Sequence, residues 1–287
     1  MLANTSDTKQ KIDNCIILVN PYCHQGKGWK RWQSVKQQVY KELQLPVEEV
    51  VVENGITTKE LLQPFLDPGE GTCIVSAGGD GSIHYLVNYL ITLDISILKN
   101  LVVGAVGLGS SNDFLKPLSK KINGIPVRIN WKGNSISHDI GKVCYLNEDN
   151  TSQQKYFIVN ASLGVTAKAN YNFNNPGAVL RFLKKNATTA AISYTAVNTI
   201  IRHQNLKCIL ELAASQLAVD LSNVNILKIP FVSGSFFYQQ NILKDDGKLA
   251  LNICHSMSRF ELINVLTGLQ KGKFPDSEKT KDRKSVV

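Results

Sequence analysis

The sequence predicts an α/β fold: an alternating N-terminal half built on a parallel sheet, then a mainly antiparallel, β-sandwich-like half. Three observations lead there. Continuous apolar runs over residues 15–19 and 101–106 read as strands buried on both faces, as parallel strands are. They run into Gly/Ser/Asn/Asp-rich loops, and helical spacing follows the first of them. From about Val127 the texture turns to the in–out alternation of antiparallel strands, so a boundary is expected near Asn134, giving domains 1–134 and 135–287. With 287 residues, 43% of them hydrophobic and 19% charged, the chain suffices for two globular cores.

Taken in order, a polar leader over 1–14 precedes the first strand, which ends in Asn20-Pro21. A loop holding Gly26-Lys27-Gly28 leads into a helix expected over 29–43, with Trp32, Val35, Val39 and Leu43 on its apolar face. Val50-Val51-Val52 is a second strand, and Thr57 or Thr58 caps a helix over 59–66 that Pro68-Gly69 ends. A strand from Thr72 meets Gly78-Gly79-Asp80-Gly81-Ser82, and Ile83, Leu86, Val87 and Leu90 then mark an amphipathic helix. The strand over 101–106 closes on Gly107-Leu108-Gly109-Ser110-Ser111-Asn112-Asp113-Phe114. In the second half, 127–131, 135–143 and 155–161 read as strands, and one helical stretch covers 178–201. Strands resume at 206–212, 224–230 and 248–254, with Asp245-Asp246-Gly247 as the turn before the last. A helix over 259–269 precedes a Lys/Asp/Ser-rich tail, 271–287, expected to be loose.

In such a chain the strand ends lie along one edge of the sheet, where ligands bind. Gly78, Gly79 and Gly81 lack a Cβ, so backbone N–H groups can be approached closely and positive φ is open to them. Ser82 stands at an N-cap or first-turn position, where the helix N-terminus favours an anion. Asp80 would repel a phosphate held there unless a cation or a ribose hydroxyl lay between them, which points to a nucleoside triphosphate with Mg²⁺. The same residues also suit a tight strand-to-helix turn with an ordinary Asp in it. Likewise Gly26 and Gly28 can cradle phosphate or simply turn at the surface. The convergence of three such loops on one edge favours the ligand site.

Net charge is +9, so an anionic partner is expected; there is no dense Arg/Lys run with interleaved aromatics, so nucleic acid is not that partner. The six cysteines lie far apart without a C-x-x-C pair, which suits a reducing cytoplasm rather than a disulfide framework or a zinc site. The leader lacks an apolar core and does not read as a signal peptide, and no apolar run is long enough to span a bilayer.

Five blocks in order, Asn20-Pro21 with Gly26 and Gly28, Gly78 to Ser82, Leu108 to Phe114, Asp139-Ile140-Gly141, and Asp245-Asp246-Gly247 with Leu249, resemble the diacylglycerol kinase catalytic family, which includes bacterial lipid kinases and the sphingosine and ceramide kinases. The resemblance covers about residues 15 to 270; the glycine turn alone is shared with NAD kinases and phosphofructokinases. It implies a nucleotide-binding α/β domain of NAD kinase/diacylglycerol kinase type, a β-sandwich-like second domain, and ATP in the cleft between them. It further implies that Asn20, Gly26, Gly28, Gly78, Gly79, Asp80, Gly81, Ser82, Ser110, Asn112 and Asp113 contact the nucleotide, with Asp80 organising Mg²⁺ and water. Asp139 matches the acid that would activate the lipid hydroxyl, and Asp246, with the main-chain carbonyls of Leu243 and Lys248, a structural Mg²⁺ site. An Asp-Gly turn is the alternative for Asp246. His138, alternating with Asp139, is expected to face away. Arg181, Lys184 and Lys185 either bind an anionic bilayer or form a solvated helix face.

The chain departs from the family's pattern at three places. The Thr usual in the second-strand loop has no clear match, since Val51 or Thr57 could align, and Gly107 stands for a usual Pro. No Asp-Gly-Glu triplet occurs, although the family's last strand carries one whose Glu is assigned as proton acceptor. Either the sequence is truncated, or Asp139 acts alone, or the protein binds nucleotide without efficient turnover. The reading that results is an ATP- and Mg²⁺-dependent kinase of diacylglycerol or a related lipid, cytoplasmic and peripherally membrane-associated, with a homodimer left open. Its rival is a catalytically impaired nucleotide- or lipid-binding regulatory protein of the same fold.

Overall fold

The computed structural model describes residues 11–118, 120–129, 135–212 and 215–286. The chain divides into two compact units, Met1–Ile136 and Ser137–Val287; Asn134, where the sequence places a boundary, lies outside the described residues. Among the described residues no helix is long and apolar enough to cross a membrane.

In the first unit, β1 (Asn14–Val19), β2 (Val47–Val51), β3 (Thr72–Gly78) and β4 (Leu101–Gly107) pair in parallel, and β5 (Lys121–Ile122) and β6 (Ile125–Arg128) extend the sheet antiparallel, in the order β2-β1-β3-β4-β6-β5. The chain steps outward from β1 to β2 and returns past β1 to β3, so the order reverses between β1 and β3. That is the switch point at which open α/β sheets bind ligands. β3 is buried along its whole length, Thr72 and Ser76 included, as a central parallel strand covered on both faces is. The helix Asp80–Leu90 buries Ile83, Leu86, Val87, Tyr89 and Leu90.

Two expectations change here. The helix expected over 29–43 is two helices, Gly28–Gln33 and Lys36–Leu43, because the Ser34 hydroxyl donates to the Arg31 carbonyl at 2.7 Å and Val35 leaves helical geometry. Residues 127–129, read as opening the antiparallel half, belong with β6 and its extension from the first sheet; Asn130 and Trp131 lie outside the described residues. Thr57 does cap the next helix, Thr58–Leu62, through a reciprocal pair with Glu60.

Glu49 on β2 ties both of those short helices to the sheet, a connection the sequence did not reveal. It accepts from Tyr40 Oη at 2.6 Å and Trp32 Nε1 at 3.1 Å and pairs with Lys36 at 2.9 Å. Trp32 is fully buried, so its N–H has no access to water. Glu49→Ala is expected to destabilise the unit by about 1 to 3 kcal/mol, the cost of stranding buried donors. Urea unfolding followed by tryptophan fluorescence measures it, and an unchanged midpoint would refute the tie.

The second unit is antiparallel. β9 (Asn160–Gly164), β10 (Leu206–Leu212), β11 (Ser215–Leu227), β14 (Lys248–His255) and β15 (Thr280–Val286) form one sheet, ordered β10-β11-β14-β15 with β9 also on β11. β7 (Gly141–Leu146) and β8 (Ser152–Phe157) pair as a hairpin, and β12 (Phe231–Val232) pairs with β13 (Phe236–Phe237). A register shift between Leu221 and Asn223 breaks the pairing of β11 with β14, as a bulge does.

The tail expected to be loose contains β15, paired along β14 from Cys254↔Thr280 to Lys248↔Val286. An uncovered β14 would have presented a row of unpaired backbone groups, and the charged tail fills that edge. The expected stretch 178–201 is two helices, Ala178–Asn186 and Thr188–Arg202, parted at Ala187 with φ −151°. A further helix, Val165–Asn174, escaped the sequence reading; Asn223 Oδ1 accepts from Thr166 N at 2.8 Å in its first turn, a cap supplied from another element. Strand character expected over 135–143 begins only at Gly141.

Candidate functional site

The ends of β1, β3 and β4 lie side by side in the first unit. Asn20, just past β1, donates from Nδ2 to Ser82 Oγ at 2.9 Å and accepts from Tyr22 N at 3.0 Å, so it fixes the first loop to the helix Asp80–Leu90. Ser82 is a first-turn residue; the N-cap is Gly79. The glycines of this turn do not adopt positive φ. What they permit is close approach. A Cβ on Gly78 would overlap the Ser82 side chain, and one on Gly109 would sit 2.5 Å from Gly79 Cα, so the two turns touch backbone to backbone. A Cβ on Gly81 would meet nothing within 4 Å, which leaves open space above the helix N-terminus.

The loop before Gly28 holds His24, Gln25 and Gly26 in succession at φ 50°, 61° and 78°. Left-handed conformations at His and Gln cost energy and are the kind of strain found at ligand-binding loops. His24 Nδ1 lies 3.2 Å from Ser110 Oγ, which brings the first and third loops together. Gly28 has no room for a side chain, since a Cβ would lie 2.5 Å from the Asn20 carbonyl. Asn112, expected at the nucleotide, braces its own turn with its amide: Nδ2 donates to the Gly107 and Gly109 carbonyls at 3.2 and 3.1 Å, and Oδ1 accepts from Gly109 N at 3.1 Å.

Asp80 Oδ1 accepts from Phe114 N at 2.9 Å, joining the β3 turn to the β4 turn. Burial first, and the neighbouring Asp113 carboxylate second, raise the Asp80 pKa. Asp113 is itself buried and pairs with Lys116 at 2.7 Å. Arg128, which no sequence signal singled out, donates to the Phe114 and Leu115 carbonyls at 3.1 and 3.0 Å and holds this turn from β6. A carboxylate whose charge is costly in this setting is one that a bound divalent cation would stabilise. Among the described residues no three His, Cys, Asp or Glu stand together as a metal cage, so a cation at Asp80 would be completed by water and phosphate oxygens, the usual manner of Mg²⁺. The residues therefore fit ATP with Mg²⁺.

The second unit holds the other acids. Asp139 Oδ2 accepts from Gly247 N at 2.7 Å, and Asp139 N donates to the Lys244 carbonyl at 2.7 Å, which ties the segment before β7 to the Asp245-Asp246-Gly247 turn. Gly247 takes φ 64°, as such a turn requires. The Lys228 ammonium lies between Asp139 Oδ2 at 2.6 Å and Asp246 Oδ1 at 2.8 Å, and donates to the Lys248 carbonyl at 2.8 Å. The metal set expected from the sequence, Asp246 with the carbonyls of Leu243 and Lys248, does not fit a Mg²⁺ ion, because an ammonium occupies two of its oxygens. The hydrogen bond from Lys228 is the main cause that lowers both the Asp139 and the Asp246 pKa. His138 Nδ1 lies 2.8 Å from the Asp139 carbonyl, and burial lowers its pKa.

Of the cations read as either bilayer-binding or a solvated helix face, Arg181 Nε donates to the Pro176 carbonyl at 3.1 Å, and Lys184 donates to the Phe173 carbonyl at 2.8 Å with its ammonium 4.3 Å from the centre of the Phe173 ring. Val179 and Phe182 on the same helix are exposed.

Residues 14–143 match the family model for the diacylglycerol kinase catalytic domain. Structures from Bacillus anthracis str. Sterne named, in two of three cases provisionally, as a diacylglycerol kinase share this fold, with TM-scores of 0.64, 0.63 and 0.60. Each covers 96% of this chain and 85% of its own, at 15 to 16% identity. No curated protein matches the chain. The first unit carries the diacylglycerol kinase catalytic-domain pattern, and the chain has a lipid-kinase-like fold.

Proposed function

We propose that this chain is a kinase that transfers the γ-phosphate of ATP, bound with Mg²⁺, to a hydroxyl of diacylglycerol or a related lipid. The observation that carries the reading is the locked pair of turns in the first unit: Gly79 against Gly109, clamped by Asp80 on Phe114 N, at the N-terminus of the helix Asp80–Leu90. Backbone N–H groups at such a helix end bind phosphate oxygens. Asn20, Ser82, Ser110 and the strained loop through Gly26 border the same edge, where they would orient the triphosphate. The bound cation would neutralise charge on the transferring phosphoryl group and on Asp80. Positioning supplies most of the rate in phosphoryl transfer, so a strong base is not demanded. Asp139, held ionised by Lys228, accepts the lipid hydroxyl's hydrogen bond as an orienting group more than as a base. The positive chain and the exposed Val179 and Phe182 suit peripheral attachment to an anionic membrane in the cytoplasm.

A second reading, a nucleotide-binding regulatory protein with impaired catalysis, is favoured by one observation: the lowered pKa of Asp139 makes it a weak proton acceptor at neutral pH. Transfer of ³²P from Mg-ATP to a panel of diacylglycerol, ceramide and sphingosine in mixed micelles separates the two. Labelled lipid from the wild type, reduced about tenfold or more in Asp139→Asn, is the expected result. Saturable ATP binding with no labelled lipid would leave the regulatory reading.

A further inference from the structure

We infer that Lys228 is a built-in cation of the second unit, its ammonium standing between Asp139, Asp246 and the Lys248 carbonyl in place of a divalent metal ion. The geometry is complete without one. An ammonium has three N–H donors, and three oxygens receive them at 2.6, 2.8 and 2.8 Å. These are hydrogen-bond lengths, longer than the roughly 2.0–2.1 Å that Mg²⁺ demands of its ligands. The side chain is 0% exposed, so the position between the carboxylates is filled. Its backbone is anchored where β11 ends, Lys228 N donating to the Val159 carbonyl at 2.9 Å. Both carboxylates are also fixed by backbone donors, Gly247 N on Asp139 at 2.7 Å and Lys248 N on Asp246 at 3.1 Å. With the ammonium removed, two carboxylates and a carbonyl would converge on one vacated point, which is a divalent-cation site.

The test is thermal unfolding of the wild type, Asp246→Asn, Lys228→Ala and the double variant, each in EDTA and in millimolar MgCl₂ without nucleotide. Any response from the acids of the first unit is common to all four and cancels in the comparison. The expected result is that Mg²⁺ shifts the wild type and Asp246→Asn equally. Lys228→Ala should melt several degrees lower in EDTA and recover several degrees more than the wild type on adding Mg²⁺, and the double variant should lose that extra recovery. A wild-type shift that Asp246→Asn removes would place a metal on the turn despite Lys228 and overturn the inference. So would failure of Mg²⁺ to restore Lys228→Ala, whether or not that variant folds in EDTA.

Discussion

Asp80→Asn is expected to lower phosphoryl transfer by about 100- to 1,000-fold while leaving the fold intact and more stable at neutral pH. Asn keeps an oxygen for Phe114 N, so the clamp between the two turns survives. What is lost is the negative charge that would hold the cation. The stability gain follows from the sign of the shift. Burial and Asp113 raise the folded-state pKa of Asp80, so the ionised form is disfavoured by folding. The penalty is absent below the unfolded carboxylate pKa of about 4, and grows as pH rises toward the raised folded value. The melting temperatures of wild type and Asp80→Asn should therefore coincide in acid and diverge upward in pH, the variant being the more stable. A variant that is less stable at neutral pH, or one that retains full transfer, contradicts this account.

Gly109→Ala is expected to destabilise the first unit by about 1 to 3 kcal/mol and to weaken ATP binding tenfold or more. The added methyl would lie 2.5 Å from Gly79 Cα and 3.0 Å from Asn112 Oδ1. Neither neighbour can yield cheaply. The Gly78 carbonyl accepts from Leu108 N at 2.8 Å and Gly109 N at 3.2 Å, and Asn112 is bonded to its own turn. Gly81→Ala makes the contrast. Its methyl meets no protein atom within 4 Å and lies in the first turn of a helix, so stability should hold or rise by up to about 1 kcal/mol, the difference in helix propensity. Isothermal titration with ATP should nonetheless show weaker binding for Gly81→Ala, since the open space is where a ligand would lie. Equal stability of the two variants would show that the turns do not need to touch.

The parallel sheet was legible because β1 and β4 fall on continuous apolar runs and β3 on a short apolar stretch ending at the glycine turn. The turns were legible because glycine followed by Asp, Ser or Asn is a local signal. Partners distant in sequence were not. Nothing near Asp139 announces Lys228, whose ammonium reaches it from the end of β11, and nothing near Trp32 announces Glu49. The Asp246 turn was matched to a metal site through the family resemblance, with an Asp-Gly turn as the alternative; the competing cation arrives from the far end of another strand. The turn that the Asn112 amide braces was likewise out of reach, since its partners Gly107 and Gly109 say nothing of it in sequence. The helix Val165–Asn174 lacks a local capping residue and is capped by Asn223, so it gave no start signal. β15 was missed for the same kind of reason: a polar, charged segment becomes a strand only because β14 offers it an edge.

The hydrogen bond between Asn20 and Ser82 spans 62 residues of chain, and β1 pairs with β3 across a similar interval, from Asn14↔Thr72 to Val19↔Ala77. The loop must close before either contact forms, and such non-local pairing is the slow step in sheet folding. The contact between the first two loops and the central strand pair thus close nearly the same stretch of chain. Nucleotide at a hundred times its Kd would then add about 2.7 kcal/mol to the unfolding free energy of the whole first unit. The melting temperature of that unit would therefore report occupancy of the edge where β1 and β3 end.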